Sequence, residues 1–153
     1  MSSRKAVAIP PPFLFGAALL VGFFIHRALG MHIAVPRVVS IAAGGLLACA
    51  GIALSAVVTW LFLRARTPIS PLSQPTALVL DGPYRFTRNP DYIGQTLMCA
   101  GIALILDWPA ALAASFAALA LVHRFVVPRE ERFLERKFGE PYREYAHRVP
   151  RWL

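Results

Sequence analysis

The sequence predicts an all-α integral membrane protein with about four transmembrane helices and a C-terminal amphipathic helical segment at the membrane interface. The first reason is composition, because 57% of the 153 residues are hydrophobic and only 16% are charged. A typical soluble domain carries more charge and fewer apolar residues. The other two reasons are that long apolar runs recur and that the charges lie between or after them. We expect residues 1–153 to form a single membrane domain.

Four apolar runs predict the four helices in chain order. The first, residues 13–25, is short for a bilayer and needs flanking residues to span it. The second, residues 38–63, carries no charged residue at all. The third and fourth, residues 92–106 and 109–127, meet at Asp107-Trp108-Pro109, which combines a turn former, an interface aromatic residue and a helix breaker. We therefore expect these two helices to form an antiparallel hairpin.

The second apolar run also contains a pattern of small residues. Gly44, Ala48, Gly51 and Ser55 recur at steps of four, three and four residues. This spacing places the four residues on one face of a helix, where the backbone of another helix can approach closely. We expect a second helix to pack on this face.

The distribution of basic residues predicts the orientation of the chain. Of the 16 Lys and Arg residues, only Arg27 and Arg37 lie between the first two apolar runs, and none lies between the third and fourth. By the positive-inside rule, both termini are cytoplasmic. The net charge of +8 is distributed between apolar runs rather than over a soluble body. We therefore expect membrane lipids, and no nucleic acid, as the acidic partner.

Several common cofactor motifs are missing from the sequence. Cys49 and Cys99 lie singly inside apolar runs, and there is no CxxC, HExxH, Walker lysine loop or GxGxxG pattern. We therefore expect no metal site and none of the usual soluble nucleotide-binding sites.

Two polar segments lie on the predicted cytoplasmic side. The proline-rich residues 64–91 predict an ordered connector or a re-entrant segment. The tail becomes amphipathic after Pro128, and Gly139 ends this first amphipathic stretch. Pro141 then suits the first turn of a second short helix. Both segments are expected to meet at the mouth of the last hairpin.

The residues alone leave the role of these segments open. The arginines and tyrosines of residues 81–92 either hold lipid phosphates or line a polar pocket. Glu130 and Glu131 are either solvated partners of neighbouring arginines or carboxylates that hold an ammonium group. His123, close to the end of the fourth run, either extends its ring toward the interface or acts as a base.

The order and spacing of the motifs in residues 76–153 resemble the isoprenylcysteine carboxyl methyltransferase family. The motifs are Gly82-Pro83-Tyr84-Arg85, Arg88-Asn89-Pro90-x-Tyr92-x-Gly94, Arg129-Glu130-Glu131-x-x-Leu134-x-x-x-Phe138-Gly139-x-x-Tyr142-x-x-Tyr145 and Val149-Pro150. Phospholipid N-methyltransferases, thiol methyltransferases and NADPH-dependent sterol reductases share parts of this pattern. The resemblance implies that residues 76–153 are the cofactor-binding and catalytic portion.

The resemblance further implies an S-adenosylmethionine-dependent methyltransferase whose cofactor lies in a membrane-embedded pocket. The implied cofactor-binding residues are Thr76, Ala77, Leu78, Val79, Tyr84, Asn89, Pro90, Asp91, Tyr92 and Glu130. Glu130 is suited to the amino group of the methionine moiety, and aromatic faces suit the sulfonium cation. The implied partner is a lipophilic small molecule or lipidated acceptor.

Two positions depart from the family pattern. Asn89 stands where the family usually has His; Asn donates and accepts hydrogen bonds but carries no charge. Val126 stands where the family tends to have an arginine suited to a substrate carboxylate, so Arg124 or Arg129 would have to replace it. The implied catalytic residues are therefore Arg124, Arg129 and Glu130.

The expected reaction is methyl transfer to a carboxylate or thiol of a hydrophobic acceptor, with a prenylcysteine-like acceptor favoured. Three alternatives remain open at this point. They are a phospholipid N-methyltransferase, an NADPH-dependent membrane reductase of the sterol type and a non-enzymatic membrane scaffold.

Overall fold

The computed structural model describes residues 11–68 and 75–153. These residues form six α-helices and contain no strand. The helices are α1 (Pro11–Leu29), α2 (Arg37–Arg64), α3 (Pro90–Leu106), α4 (Pro109–Leu121), α5 (Val127–Phe138) and α6 (Glu140–Arg148). A 3-10 helix (Gly82–Arg85) precedes α3, and a π-helical turn (Val122–Val126) joins α4 to α5. The predicted all-α fold is confirmed.

The apolar runs coincide with helices of membrane-spanning character. Helices α1 and α2, and the continuous helical stretch Pro109–Phe138, are each long and apolar enough to cross a membrane. Helix α3 is apolar but shorter, with 17 residues, and it contacts α1, α2 and α4. The chain is therefore a membrane protein built around three such helices, with α3 packed among them.

Helices α2 and α3 pack backbone against backbone through small residues. A Cβ atom added to Gly51 would lie 2.5 Å from the carbonyl oxygen of Gly94. A Cβ added to Gly101 would lie 2.5 Å from the carbonyl oxygen of Gly44. Both distances are far below van der Waals contact, so only glycine fits at these positions. The predicted packing face is confirmed, and α3 is the helix that packs on it.

Helix α1 packs against α4, a pairing that the sequence did not predict. Gly22 of α1 lies so close to Ala111 of α4 that a side chain at position 22 would collide with it. Phe15 and Ala18 of α1 are buried in one cluster with Val122. Helix α1 therefore contacts α4 and α3, whereas α2 packs on α3.

The turn between α3 and α4 is built on Asp107, as the turn signal predicted. Asp107 adopts a left-handed conformation with φ of 60°, which Asp tolerates better than most residues. Its carboxylate accepts hydrogen bonds from the backbone N–H of Ile33 at 2.7 Å and from the His32 ring. The Ile33 bond, followed by the His32 bond, lowers the pKa of Asp107. The loop between α1 and α2 is thereby tied to this turn.

The fourth helix does not end where its apolar run ends. Pro128 has no N–H to donate to the carbonyl of Arg124, which would disrupt a regular α-helix at this point. Instead, the Val127 N–H donates to the carbonyl of Val122, five residues earlier, and the helix continues as a π turn. The π turn joins the apolar α4 directly to the charged α5.

Candidate functional site

A cavity of about 370 Å³ lies where α2, α3, α5 and α6 converge. Its volume falls in the lower range of small-molecule sites. The 3-10 helix and the segment before it close one side. The lining residues are Pro11, Pro12, Val58, Thr59, Phe62, Pro68, Pro75, Ala77, Leu78, Val79, Tyr84, Arg88, Asn89, Asp91, Tyr92, Gln95, Glu130, Glu131, Phe133, Leu134, Tyr142 and Tyr145.

The cavity brings together most of the residues expected to bind a cofactor. Those on its wall are Ala77, Leu78, Val79, Tyr84, Asn89, Asp91, Tyr92 and Glu130. Thr76 and Pro90 are not among the lining residues. The Thr76 hydroxyl donates to the carbonyl of Arg66 at 3.0 Å, and Pro90 is buried in the first turn of α3. Arg124 and Arg129, expected near the reaction, are exposed and do not line the cavity.

Glu130 presents a carboxylate to the cavity. The Tyr92 hydroxyl donates to Glu130 Oε1 at 2.7 Å and thereby joins the start of α3 to the start of α5. Within residues 11–68 and 75–153, no basic side chain forms an ion pair with Glu130. A carboxylate in a largely apolar wall is stabilised by a ligand that brings a positive charge.

A second carboxylate, that of Asp91, lies on the same wall. Gln95 Nε2 donates to Asp91 Oδ2 at 2.7 Å. Because an ionised carboxylate can only accept, this contact fixes the orientation of the Gln95 amide. In the described part of the chain Asp91 also lacks an ion-pair partner. The two carboxylates together make the cavity favourable for a cationic ligand.

Glu131 has a different environment from its neighbour Glu130. It forms ion pairs with Arg88 at 2.9 Å and Arg151 at 2.6 Å, and only 15% of its side chain is exposed. The sequence allowed Glu131 to be a solvated partner of arginines on its own helix. The structure instead pairs it with arginines from the loop before α3 and from the C-terminal segment. Glu131 therefore connects three parts of the chain.

Asn89 also connects the loop before α3 to the C-terminal segment. Its side-chain amide donates to the Arg151 carbonyl at 3.0 Å, and the Thr87 hydroxyl donates to the same oxygen at 2.9 Å. The Arg88 N–H donates to the Pro150 carbonyl at 3.0 Å. The loop 87–89 is thus fixed to residues 150–151, and Asn89 both lines the cavity and holds the C-terminal segment.

The tyrosines around the cavity are neutral hydrogen-bonding groups. Burial raises the pKa of Tyr84 and that of Tyr145 well above the ordinary value for a phenol. The Tyr145 hydroxyl donates to the Tyr84 carbonyl at 2.8 Å, so α6 holds the 3-10 helix in place. Because both phenols keep their protons near neutral pH, neither one is a base.

His123 lies outside the cavity. Its Nδ1 accepts a hydrogen bond from the Trp152 indole N–H at 3.0 Å, and the imidazole is exposed. A ring that accepts at Nδ1 is neutral with its proton on Nε2. The interaction anchors the C-terminal segment to the π turn, and the contacts of His123 give no support to a role as base.

Sequence reasoning did not identify part of the cavity wall. Val58, Thr59 and Phe62 come from α2, which carries no charge between its ends. Their involvement follows from the close packing of α2 on α3, which no local motif specifies. Gln95 lies one turn after Asp91, and this spacing was the one local signal that could have suggested it.

Comparison with known proteins matches a region of the chain that includes most of the residues lining the cavity. Residues 39–141 match the family described as phospholipid methyltransferase. Protein-S-isoprenylcysteine O-methyltransferase B of Arabidopsis thaliana is 40% identical over 76 residues, which is 48% of this chain and 37% of that protein. The cobalt-zinc-cadmium resistance protein CzcN of Cupriavidus metallidurans is 37% identical over 73 residues, covering 48% of this chain and 33% of that protein.

A smaller protein matches over most of its own length. An uncharacterised protein of Haemophilus influenzae is 38% identical over 58 residues, which is 34% of this chain and 92% of that protein. In contrast, the matches to the Arabidopsis and Cupriavidus proteins cover only about a third of each protein.

Proposed function

The chain belongs to the phospholipid methyltransferase family, and on that basis we propose that it is a membrane methyltransferase that uses S-adenosylmethionine as methyl donor. The observation that carries the proposal is Glu130, a carboxylate on the wall of a cavity of about 370 Å³ that receives a hydrogen bond from Tyr92. S-adenosylmethionine carries both an ammonium and a sulfonium group. These charges complement a wall that bears two carboxylates without basic partners among the described residues.

The residues present fit such a donor. Glu130 would accept hydrogen bonds from the ammonium group, and a charge-assisted hydrogen bond of this kind is among the stronger ones in proteins. The rings of Tyr84 and Tyr92 offer faces to the sulfonium. The apolar residues Leu78 and Val79 would enclose the adenine. Of the residues implied by the family resemblance, Thr76 and Pro90 would support the wall rather than contact the donor.

Methyl transfer requires the protein chiefly to align the acceptor with the donor and to exclude water. When bound, the donor would supply a methyl group whose bond to sulfur breaks as the bond to the acceptor forms, with S-adenosylhomocysteine as the leaving group. The apolar side chains of Val58, Phe62 and Leu134 line the cavity and would keep water away from the reacting groups. A thiolate or carboxylate acceptor needs no strong base, which agrees with the neutral phenols around the cavity. We therefore assign binding and alignment, rather than proton transfer, to Glu130 and Tyr92.

We further propose that the acceptor is hydrophobic and bears the reacting thiol or carboxylate, with a prenylcysteine-like acid favoured. The apolar wall contributed by α2 supports this proposal, as does the similarity to proteins named isoprenylcysteine O-methyltransferases. Residues 76–153 would then be the catalytic portion, and both termini would face the cytoplasm. Arg124 and Arg129 lie outside the cavity, so we place them at the membrane surface rather than at the reacting atoms.

A second candidate is methylation of an amine headgroup. The family description itself names phospholipids, and Asp91 and Glu130 would suit an amine acceptor as well as a donor. This reading differs from the first only in the nucleophile.

The cofactor is tested by thermal unfolding of the detergent-solubilised protein. S-adenosylhomocysteine should raise the unfolding temperature and NADPH should not, because only a ligand of the folded state stabilises it. At a concentration of a hundred times its Kd, the stabilisation should be about 2.7 kcal/mol. Stabilisation by NADPH alone would indicate a reductase, and no effect of either ligand would favour a scaffold.

The acceptor is tested by transfer of a labelled methyl group in single-turnover assays. Matched lipophilic acceptors that carry a carboxylate, a thiol or an amine should be compared in the same vesicles. We expect transfer to the carboxylate or the thiol. Transfer to the amine alone would select the second candidate while leaving the methyl donor unchanged.

A further inference from the structure

Along the continuous helical stretch Pro109–Phe138, the exposed side chains change from apolar to basic. Phe116, Leu121 and Phe125 are 56%, 48% and 52% exposed, on helix α4 and the π turn that follows it. In a membrane protein, apolar side chains this exposed face lipid tails. One turn later the exposed side chains become Arg129, then Arg132 and Arg136. Their spacing of three and four residues keeps them on one face of α5.

These arginines have no acidic partners in the described part of the chain. The carboxylates of α5 have other partners. Glu130 lines the cavity, and Glu131 forms ion pairs with Arg88 and Arg151. Glu135 lies 3.8 Å from Arg143. Arg132 and Arg136 donate only through Nε, each to a carbonyl one turn earlier. Both residues are exposed, and their terminal Nη groups make no hydrogen bond among the described residues.

We infer that the face formed by Arg129, Arg132 and Arg136 binds the phosphate groups of anionic phospholipids in the bilayer. The lipid-facing stripe of Phe116, Leu121 and Phe125 ends in the π turn, one turn before Arg129, so the arginines lie at the depth of the headgroups. Guanidinium groups bind phosphate oxygens through two parallel hydrogen bonds. This surface lies outside the cavity, and its binding of lipid does not depend on methyl transfer.

The experiment measures binding of fluorescent phosphatidylglycerol and phosphatidylcholine to the full chain in neutral detergent. The native chain should prefer phosphatidylglycerol. The preference should fall about twenty-five-fold in the double variant Arg132→Gln/Arg136→Gln, because each basic side chain contributes about fivefold, the equivalent of about 1 kcal/mol. The matched control is Arg27→Gln/Arg37→Gln, which removes the same charge from the last turn of α1 and the first residue of α2 and should leave the preference unchanged.

Two further measurements separate the effect of charge from that of the guanidinium group, and lipid binding from binding of free phosphate. The variant Arg132→Lys/Arg136→Lys keeps the charge but loses the paired hydrogen bonds of guanidinium, so its preference should lie between those of the native chain and the glutamine variant. Inorganic phosphate at the concentration of the lipid should not displace phosphatidylglycerol, because the lipid is also held by the apolar stripe. If the double glutamine variant does not fold, each single variant should lose about fivefold. An unchanged preference in the folded glutamine variant, or displacement by phosphate alone, would overturn the inference.

Discussion

At the scale of single residues, Glu130 and Glu131 are neighbours in the chain with separate partners. Successive residues of a helix point about 100° apart, so Glu130 reaches Tyr92 and the cavity while Glu131 reaches Arg88 and Arg151. The motif identified Glu130 as a candidate from sequence. The motif could not predict the ion-pair partners of Glu131, because Arg151 lies 20 residues later in the chain and contacts Glu131 only in the folded structure.

Replacing Glu130 should weaken binding of the donor. Glu130→Gln removes a carboxylate that would pair with an ammonium group, a loss of about 1.5 to 3 kcal/mol, or about tenfold to more than a hundredfold in Kd. Titration calorimetry with S-adenosylhomocysteine measures it. Glu135→Gln, an exposed position on the same helix, is the control and should bind normally. Equal affinities for the two variants would remove Glu130 from the proposed site.

Replacing Glu131 should act first on stability. Glu131→Gln leaves Arg88, which is 16% exposed, without its partner. The loss should be below the 3 to 5 kcal/mol of a fully buried pair, because Arg151 is 42% exposed. Chemical unfolding in detergent measures it, and Arg151→Gln supplies a double-mutant cycle. If the two losses simply add, Glu131 and Arg151 are not coupled as their geometry indicates.

At the scale of helices, the sequence predicts the positions and faces of the helices more reliably than the backbone conformation that connects α4 to α5. The small-residue spacing of α2 correctly predicted a packing face, because helical periodicity is local. The π turn before α5 could not be predicted in the same way. Pro128 allows either a break or a shift of the hydrogen bonds, and the choice is not local, because Val122 is buried in one cluster with Phe15 and Ala18 of α1.

The α2–α3 contact should not tolerate a methyl group. Gly51→Ala places a Cβ 2.5 Å from the Gly94 carbonyl oxygen, and overpacking of this kind costs about 1 to 3 kcal/mol. Gly45→Ala is a matched control on the same helix, because nothing lies within 4 Å of its added Cβ. Thermal unfolding should show a loss for the first variant and none for the second. Similar unfolding temperatures would mean that α2 and α3 separate easily.

At the scale of the whole molecule, composition and charge predicted the fold class, and long-range contacts determined the site. Apolar runs and their order can be read along the chain, so the four apolar helices fall close to where they were expected. The cavity combines α2 with α5 and the C-terminal segment, which are far apart in sequence. No local sequence pattern predicts that Val58 and Leu134 line the same cavity.

The orientation predicts opposite labelling of two positions. If both termini are cytoplasmic, a cysteine at position 107, in the turn between α3 and α4, should react only with an impermeant reagent added outside. A cysteine at position 136 on α5 should react only from the cytoplasmic side. Both variants are made in a background without Cys49 and Cys99. Labelling of position 107 from the cytoplasmic side alone would reverse the proposed topology.

The attachment of residues 150–152 to the cavity wall has a consequence for the order of synthesis. Thr87 and Asn89 are held by the carbonyl of Arg151, more than sixty residues later, and Trp152 reaches back to His123. A nascent chain can therefore insert all of its apolar helices before these bonds exist. The cavity wall is complete only after Trp152 has been synthesised, so we expect membrane insertion of the helices to precede completion of the cavity.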